Sequence, residues 1–215
     1  MRNTSLLAAA LLAWGISPAP THAVEHASEL TAANAFPVRV PTPRGPSGPI
    51  DSWVVETMLS QPGQTKAEFI HDVSRFLDGW TMRTNVEACA QISVSPQGDQ
   101  FGVRILTQKS QVNCMTGKDM VPFDFISTGE SIHSHPNVEG GRVVLNEYSA
   151  KLLSLLTGER YRKGASLTIP SPENFSSTDY EGGRGFLVAE GRLKHQHGVG
   201  TEEDLGEIRA SFAGP

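Results

Sequence analysis

Apolar and polar positions recur with two different rhythms along this chain, and each rhythm predicts an element. Between Thr65 and Gly79 the residues Phe69, Ile70, Val73, Phe76 and Leu77 fall at the three- and four-residue spacing of one helix face. In front of them Thr65-Lys-Ala-Glu68 is a capping box, in which a hydroxyl and a carboxylate each satisfy an orphan backbone N–H. The spacing predicts a helix over 66–78, closed by Gly79. Leu145, Tyr148, Leu152, Leu155 and Leu156 predict a second amphipathic helix over 145–158, ended by Gly158. Thr201 is placed to cap a short third one, with Leu205, Ile208 and Phe212 on one face. The other rhythm is alternation. Val86–Val94 and Phe101–Thr107 read as strands joined by the turn residues Pro96-Gln-Gly-Asp99. Phe125–His135 contains another strand, reached through an irregular excursion over 108–124. Phe186–Ala189 and Arg192-Leu193, separated by Glu190-Gly191, predict a final hairpin. Asp51–Leu59 is apolar enough for a strand or a helix, and its pattern does not choose. Helices interleaved with a small sheet make the fold α/β or α+β.

Length and the N-terminus bound this picture. A chain of 215 residues suggests one domain with extensions, long enough to bury a core. Arg2, the apolar run Leu6–Ile16 and the small-residue segment Ser17–Ala23 read as a secretory signal peptide over 1–23, cut after Thr21-His22-Ala23. The run is about eleven residues where spanning a membrane needs about twenty, so an anchor is the weaker reading. Pro37, Pro41, Pro43, Pro46 and Pro49 then predict a disordered leader over 24–50, ahead of a domain over 51–215. The formal charge is −5, and no cluster of Lys and Arg breaks the acidic balance. That argues against nucleic acid as a partner, and no other apolar run supports stable membrane insertion. Export would place the only two cysteines, Cys89 and Cys114, in an oxidising compartment, where an even count favours one disulfide. Such a bridge closes a loop of about 25 residues and contributes about 3 kcal/mol.

The candidate chemistry lies in Ser131-Ile132-His133-Ser134-His135-Pro136 and in Ser176-Ser177-Thr178-Asp179. On an extended strand His133 and His135 point to one face, and Ile132 turns to the other. Pro136 ends the ladder because it has no N–H to donate. Two imidazoles and the Asp179 carboxylate would supply three metal ligands and leave a fourth position for water, which is the arrangement of a catalytic zinc.

His133-Ser-His135-Pro136, Ser176-x-x-Asp179 and an upstream Glu together resemble the signature of the JAMM (MPN-plus, or JAB-domain) metalloproteases, over roughly residues 55–195. The resemblance implies an α-β-α sandwich around a small mixed sheet, with Zn2+ held by His133, His135 and Asp179. It also implies Glu87, 46 residues before His133, as the base that holds and deprotonates the bound water, and Ser176 as the hydroxyl that steadies the oxyanion. Physical chemistry agrees with such a set. Zinc brings the pKa of its water to about 7, a neighbouring carboxylate can carry the proton to a leaving amine, and one oxyanion donor can contribute about 3 kcal/mol. One departure stands out. In the family the SxxD closely follows the second His, whereas Ser176 lies 41 positions after His135. Either 137–175 is an insertion or Asp179 is not the ligand, and the flanking Phe175-Ser-Ser-Thr-Asp179 favours the insertion.

Other residues weigh against this set. Glu130 is a rival base, but its strand parity sets it opposite His133 and His135. Ser177 and Thr178 could cap a helix beginning at Asp179. His195-Gln-His197 is a second His-x-His, placed by Gly198 and Gly200 in a loop, and Asp99 belongs to a turn. The expected activity is exported, zinc-dependent hydrolysis of an amide or isopeptide bond in a peptide, protein or cell-wall peptide. The alternatives are a catalytically silent binding or assembly module, and a secreted toxin-like effector.

Overall fold

A computed structural model describes residues 44–45, 48–138, 141–169 and 171–208. The expected signal peptide over 1–23, with its cleavage site, and most of the leader lie outside the described residues. Within the leader two short strands, β1 (Arg44–Gly45) and β2 (Gly48–Pro49), pair with each other. Among the described residues no helix is long and apolar enough to cross a membrane.

The chain is mixed α/β. Its centre is a seven-stranded sheet in the order β11-β10-β9-β6-β4-β5-β3. The strands are β3 (Trp53–Leu59), β4 (Cys89–Val94), β5 (Phe101–Thr107), β6 (Ile126–Ser134), β9 (Gly185–Ala189), β10 (Arg192–Gln196) and β11 (Glu203–Glu207). Neighbours run antiparallel except β6 and β9, which are parallel. Everything between them is therefore a crossover connection. It carries β7 (Arg142–Val144), α2 (Glu147–Thr157), β8 (Ser166–Thr168) and α3 (Ser177–Glu181). Asp51–Leu59 resolves as a strand because Trp53–Leu59 adds to the edge of β5.

The helix α1 (Lys66–Thr84) begins at the Thr65 capping box as expected but runs past Gly79. Trp80 and Thr81 are buried against the sheet, so the turn after Gly79 has a face to cover, and Asn85 in the left-handed region ends it. Phe69, Ile70, Val73, Leu77 and Trp80 pack on Ala88, Ala90, Ile92, Ile105, Ile132 and Val188 to form the main core. Alternation then sends Cys89, His133 and Leu187 to the face away from α1.

The Glu190-Gly191 hairpin forms as the pattern predicts, with φ of 52° and 72° at its two turn residues, but it is not the final element. The helix expected after Thr201 is replaced over 203–207 by β11, an edge strand on β10. Gly206 at φ 100° and the buried Ile208 fit that pairing. Thr201 caps no helix; its hydroxyl accepts from His197 N and donates to Gly198 O, closing the turn between β10 and β11. Phe212 lies outside the described residues.

The described residues between 137 and 175 carry a second, smaller core. The β7–β8 pair and α2 enclose Val143, Leu145 and Ala150, packed against Leu153, Tyr161, Leu167 and Ile169. The α2 boundaries are tighter than the 145–158 expected, because Asn146 is its N-cap and Gly158 its C-cap. The excursion 108–124 is irregular as expected, and Cys114 within it bridges to Cys89.

Candidate metal centre

The site lies on the sheet face away from α1, at the end of β6. Cys89 on β4 stands in register with His133 on β6 and, through β6, with Leu187 on β9. β6 ends at Ser134, and His135 follows with its N–H on Val188 O (2.9 Å). The ladder thus carries both histidines, with Pro136 closing it. Across the parallel pair Gly185 sits so close to β6 that an added Cβ would lie 2.8 Å from Ser131 Oγ and 3.0 Å from its carbonyl oxygen. That approach brings the incoming end of the crossover, and α3 with it, beside the histidines.

Ser176 is the N-cap of α3, not Ser177 or Thr178. Its Oγ accepts from Asp179 N (3.3 Å), while its own N–H donates to Asp179 Oδ2 (2.6 Å). The capping box thereby divides the Asp179 carboxylate, one oxygen for the helix start and Oδ1 for His133 Nε2 at 3.2 Å. His133 Nε2 is also 3.2 Å from His135 Nε2. The ligand atoms of His133, His135 and Asp179 all lie within 4.8 Å of one another. The crossover thus delivers Asp179 to the histidines in spite of its length.

These donors fit a tetrahedral metal. With bonds of about 2.0 Å, neighbouring ligand atoms on a tetrahedron are about 3.3 Å apart. Pro172 O lies 2.7 Å from His135 Nδ1, so that nitrogen carries the proton and Nε2 keeps its lone pair for a cation. Burial, and then the charge of His133, push the His135 pKa down to about 4, which keeps the ring in its ligating neutral form. For Asp179 burial opposes ionisation, but the hydrogen bond and charge of His133, with the Ser176 N–H, outweigh it and hold the carboxyl well below the usual range.

Glu87 lines the same cavity. It falls within the Val86–Val94 strand that the alternation predicts, yet β4 begins two residues after it. Its N–H goes to Ser110 O (2.8 Å) and its carbonyl accepts the Thr107 hydroxyl (2.7 Å), so the ladder to β6 starts only beyond it. Those two bonds fix its backbone. Its side chain is buried, and desolvation, followed by the charge of Asp179, raises its pKa well above the ordinary carboxylate value.

No family model, curated protein or solved structure matches this chain. The cavity encloses about 400 Å3, and Glu87, His133, His135, Ser176 and Asp179 all line it. Glu130 faces α1, where it pairs with Lys66 and lies 3.6 Å from His195 Nε2, within ion-pair range but beyond a hydrogen bond. The second His-x-His is not wholly in a loop: His195 belongs to β10 and stacks on Phe186 with ring centroids 4.0 Å apart. Both residues stand on the α1 face, apart from the centre.

Two contributors escaped the pattern reading. Gln196, almost fully buried at the end of β10, donates through Nε2 to Asp179 O (3.4 Å) and to Gly183 O. It pins the segment that carries Asp179. Pro172 orients His135 through a backbone carbonyl, which any residue type can supply.

Proposed function

We propose that this chain is a zinc-dependent hydrolase of amide bonds in peptides, built on a JAMM-like α-β-α plan with 137–175 as an insertion, and acting outside the cytoplasm. The observation that carries the reading is the convergence of His133 Nε2, His135 Nε2 and Asp179 Oδ1 in a cavity that also holds the buried carboxyl of Glu87. Zinc bound there would polarise a substrate carbonyl and acidify a water molecule. The remaining work belongs to the chain. His133, His135 and Asp179 would hold the ion, with Pro172 O fixing the His135 ring and Ser176 N the carboxylate. Glu87 takes the water's proton and returns it to the leaving amine. The Ser176 hydroxyl accepts from Asp179 N, so its own proton is left to donate to the substrate carbonyl oxygen. The Cys89–Cys114 bridge accords with an oxidising compartment.

Zinc content and turnover of two variants test this. The native chain should carry about one zinc per molecule, since the cluster offers one full set of ligands. Glu87→Gln should keep the zinc while hydrolysis falls about a hundred- to ten-thousand-fold. Asp179→Ala should lose both together. Wild-type turnover in Glu87→Gln would remove Glu87 from the mechanism. Zinc without hydrolysis of any peptide in the unmodified chain would leave a silent binding module as the better reading.

A further inference from the structure

The apolar part of the cavity lining is built largely by the crossover unit. Val138, Leu153, Leu167 and Ile169 come from that unit, Val112 from the disulfide-tied excursion, and Phe175 from the approach to α3. Leu153, Leu167 and Ile169 are only partly buried and are backed by Val143, Leu145 and Ala150. The wall is thus held from behind, while its front stays open to the cavity.

The charges of the lining point the same way. Among the described residues that line the cavity, the ionisable side chains are Glu87, His133, His135 and Asp179, with no Lys or Arg. The other polar side chains there include Gln91, Gln111, Asn113 and Thr116, which suit a neutral peptide backbone. A carboxylate entering beside the apolar wall would lose its water and find no Lys or Arg, while the two positive charges of a bound zinc would already be matched by Asp179 and Glu87. An aliphatic or aromatic side chain would instead exchange water for the wall.

We infer that the cavity selects a peptide segment with a large apolar side chain beside the scissile amide and rejects a carboxylate there. The inference rests on the hydrolase reading and adds its substrate class. It makes an acidic cell-wall stem peptide the disfavoured substrate and an apolar stretch of protein the favoured one. The insertion is then a specificity element, because it supplies most of the selecting wall.

The test is binding, read independently of turnover. The full chain is loaded with cobalt(II), and its visible spectrum is followed while three hydroxamates are added that differ only in side chain: leucyl, alanyl and glutamyl. The leucyl compound should bind about 10- to 50-fold more tightly than the alanyl one. The glutamyl compound should bind at least about tenfold more weakly than the alanyl one. Leu153→Ala should cut the leucyl-over-alanyl ratio several-fold with the cobalt spectrum unchanged, and Ile169→Ala should do so independently should the first variant fail to fold. Equal binding of all three, or tightest binding of the glutamyl compound, overturns the specificity while the metal centre stands. A chain that takes up no cobalt overturns the metal centre, and the specificity with it.

Discussion

At the scale of single residues, the candidate metal centre depends on groups that hold the candidate ligands as much as on those ligands. The His-x-His and Ser-x-x-Asp patterns are legible in sequence because each is local: a strand's alternation aims two rings together, and a helix start sets Ser176 against Asp179. Gln196 is not legible, since its partners Asp179 O and Gly183 O reach it only after β10 has folded beside the crossover. Gln196→Leu should therefore be more than a packing change. It leaves two carbonyls short of a donor, at about 1–3 kcal/mol of stability, and frees the segment that presents Asp179. Zinc affinity should drop about tenfold, as for other residues that orient metal ligands, measured by competition with a chelating dye. An affinity equal to that of the native chain would reduce Gln196 to a structural role.

At the scale of elements, helix boundaries are legible where the capping signal is self-contained, as at Thr65 and at Gly158. Thr65 and Glu68 start α1 where the capping box says, because that box is self-contained. Its end is decided by Trp80 and Thr81 covering the sheet, which a window of sequence does not contain. The C-terminal strand shows the same competition, with a helical spacing overridden by a free edge on β10. The α1 start also anchors to β6 through Lys66 and Glu130. Burial opposes ionisation of Glu130, yet the hydrogen bond and charge of Lys66, helped by Arg184 and His195, hold its pKa below the ordinary value. A carboxyl depressed in the folded state stabilises above its unfolded pKa and loses that contribution as pH falls through the folded one. Lys66→Met should accordingly cost about 2 kcal/mol near neutral pH, a figure discounted for the half-exposed lysine. The cost should shrink as the pH falls from the ordinary carboxylate range of the unfolded chain toward the lowered value of folded Glu130. Denaturant unfolding of both proteins at pH 7 and pH 4 checks this, and an equal deficit at the two values would contradict it.

At the scale of the whole molecule, the spacing between the histidines and Asp179 is long, yet the fold absorbs it. β6 and β9 lie side by side and parallel, so the chain between them must cross over, and lengthening such a connection costs only logarithmically. A crossover with its own core around Val143, Leu145 and Ala150 can then grow without moving the two ends that form the site. For that reason sequence distance was a poor guide to whether Asp179 reaches the centre. The disulfide makes the matching connection on the other side. Cys89 is in register with His133, and Cys114 lies in the excursion that walls the cavity. The same excursion is also held by Gln108, which bonds Met115 N (2.8 Å) and Met115 O (3.0 Å), and by Ser149 Oγ on Gln111 N (2.8 Å). Removing the bridge should therefore loosen this wall before it disturbs the main core. The loop it closes predicts a loss of about 3 kcal/mol, or roughly 6–12 °C in Tm for a chain of this size. Cys89→Ala/Cys114→Ala should show that drop, with hydrogen exchange accelerated over 111–116 while α1 stays protected. Zinc content should persist, because none of the ligands lies in the excursion. Faster exchange in α1 and the excursion together would show that the bridge supports the whole fold, and the separation of wall from core would fail.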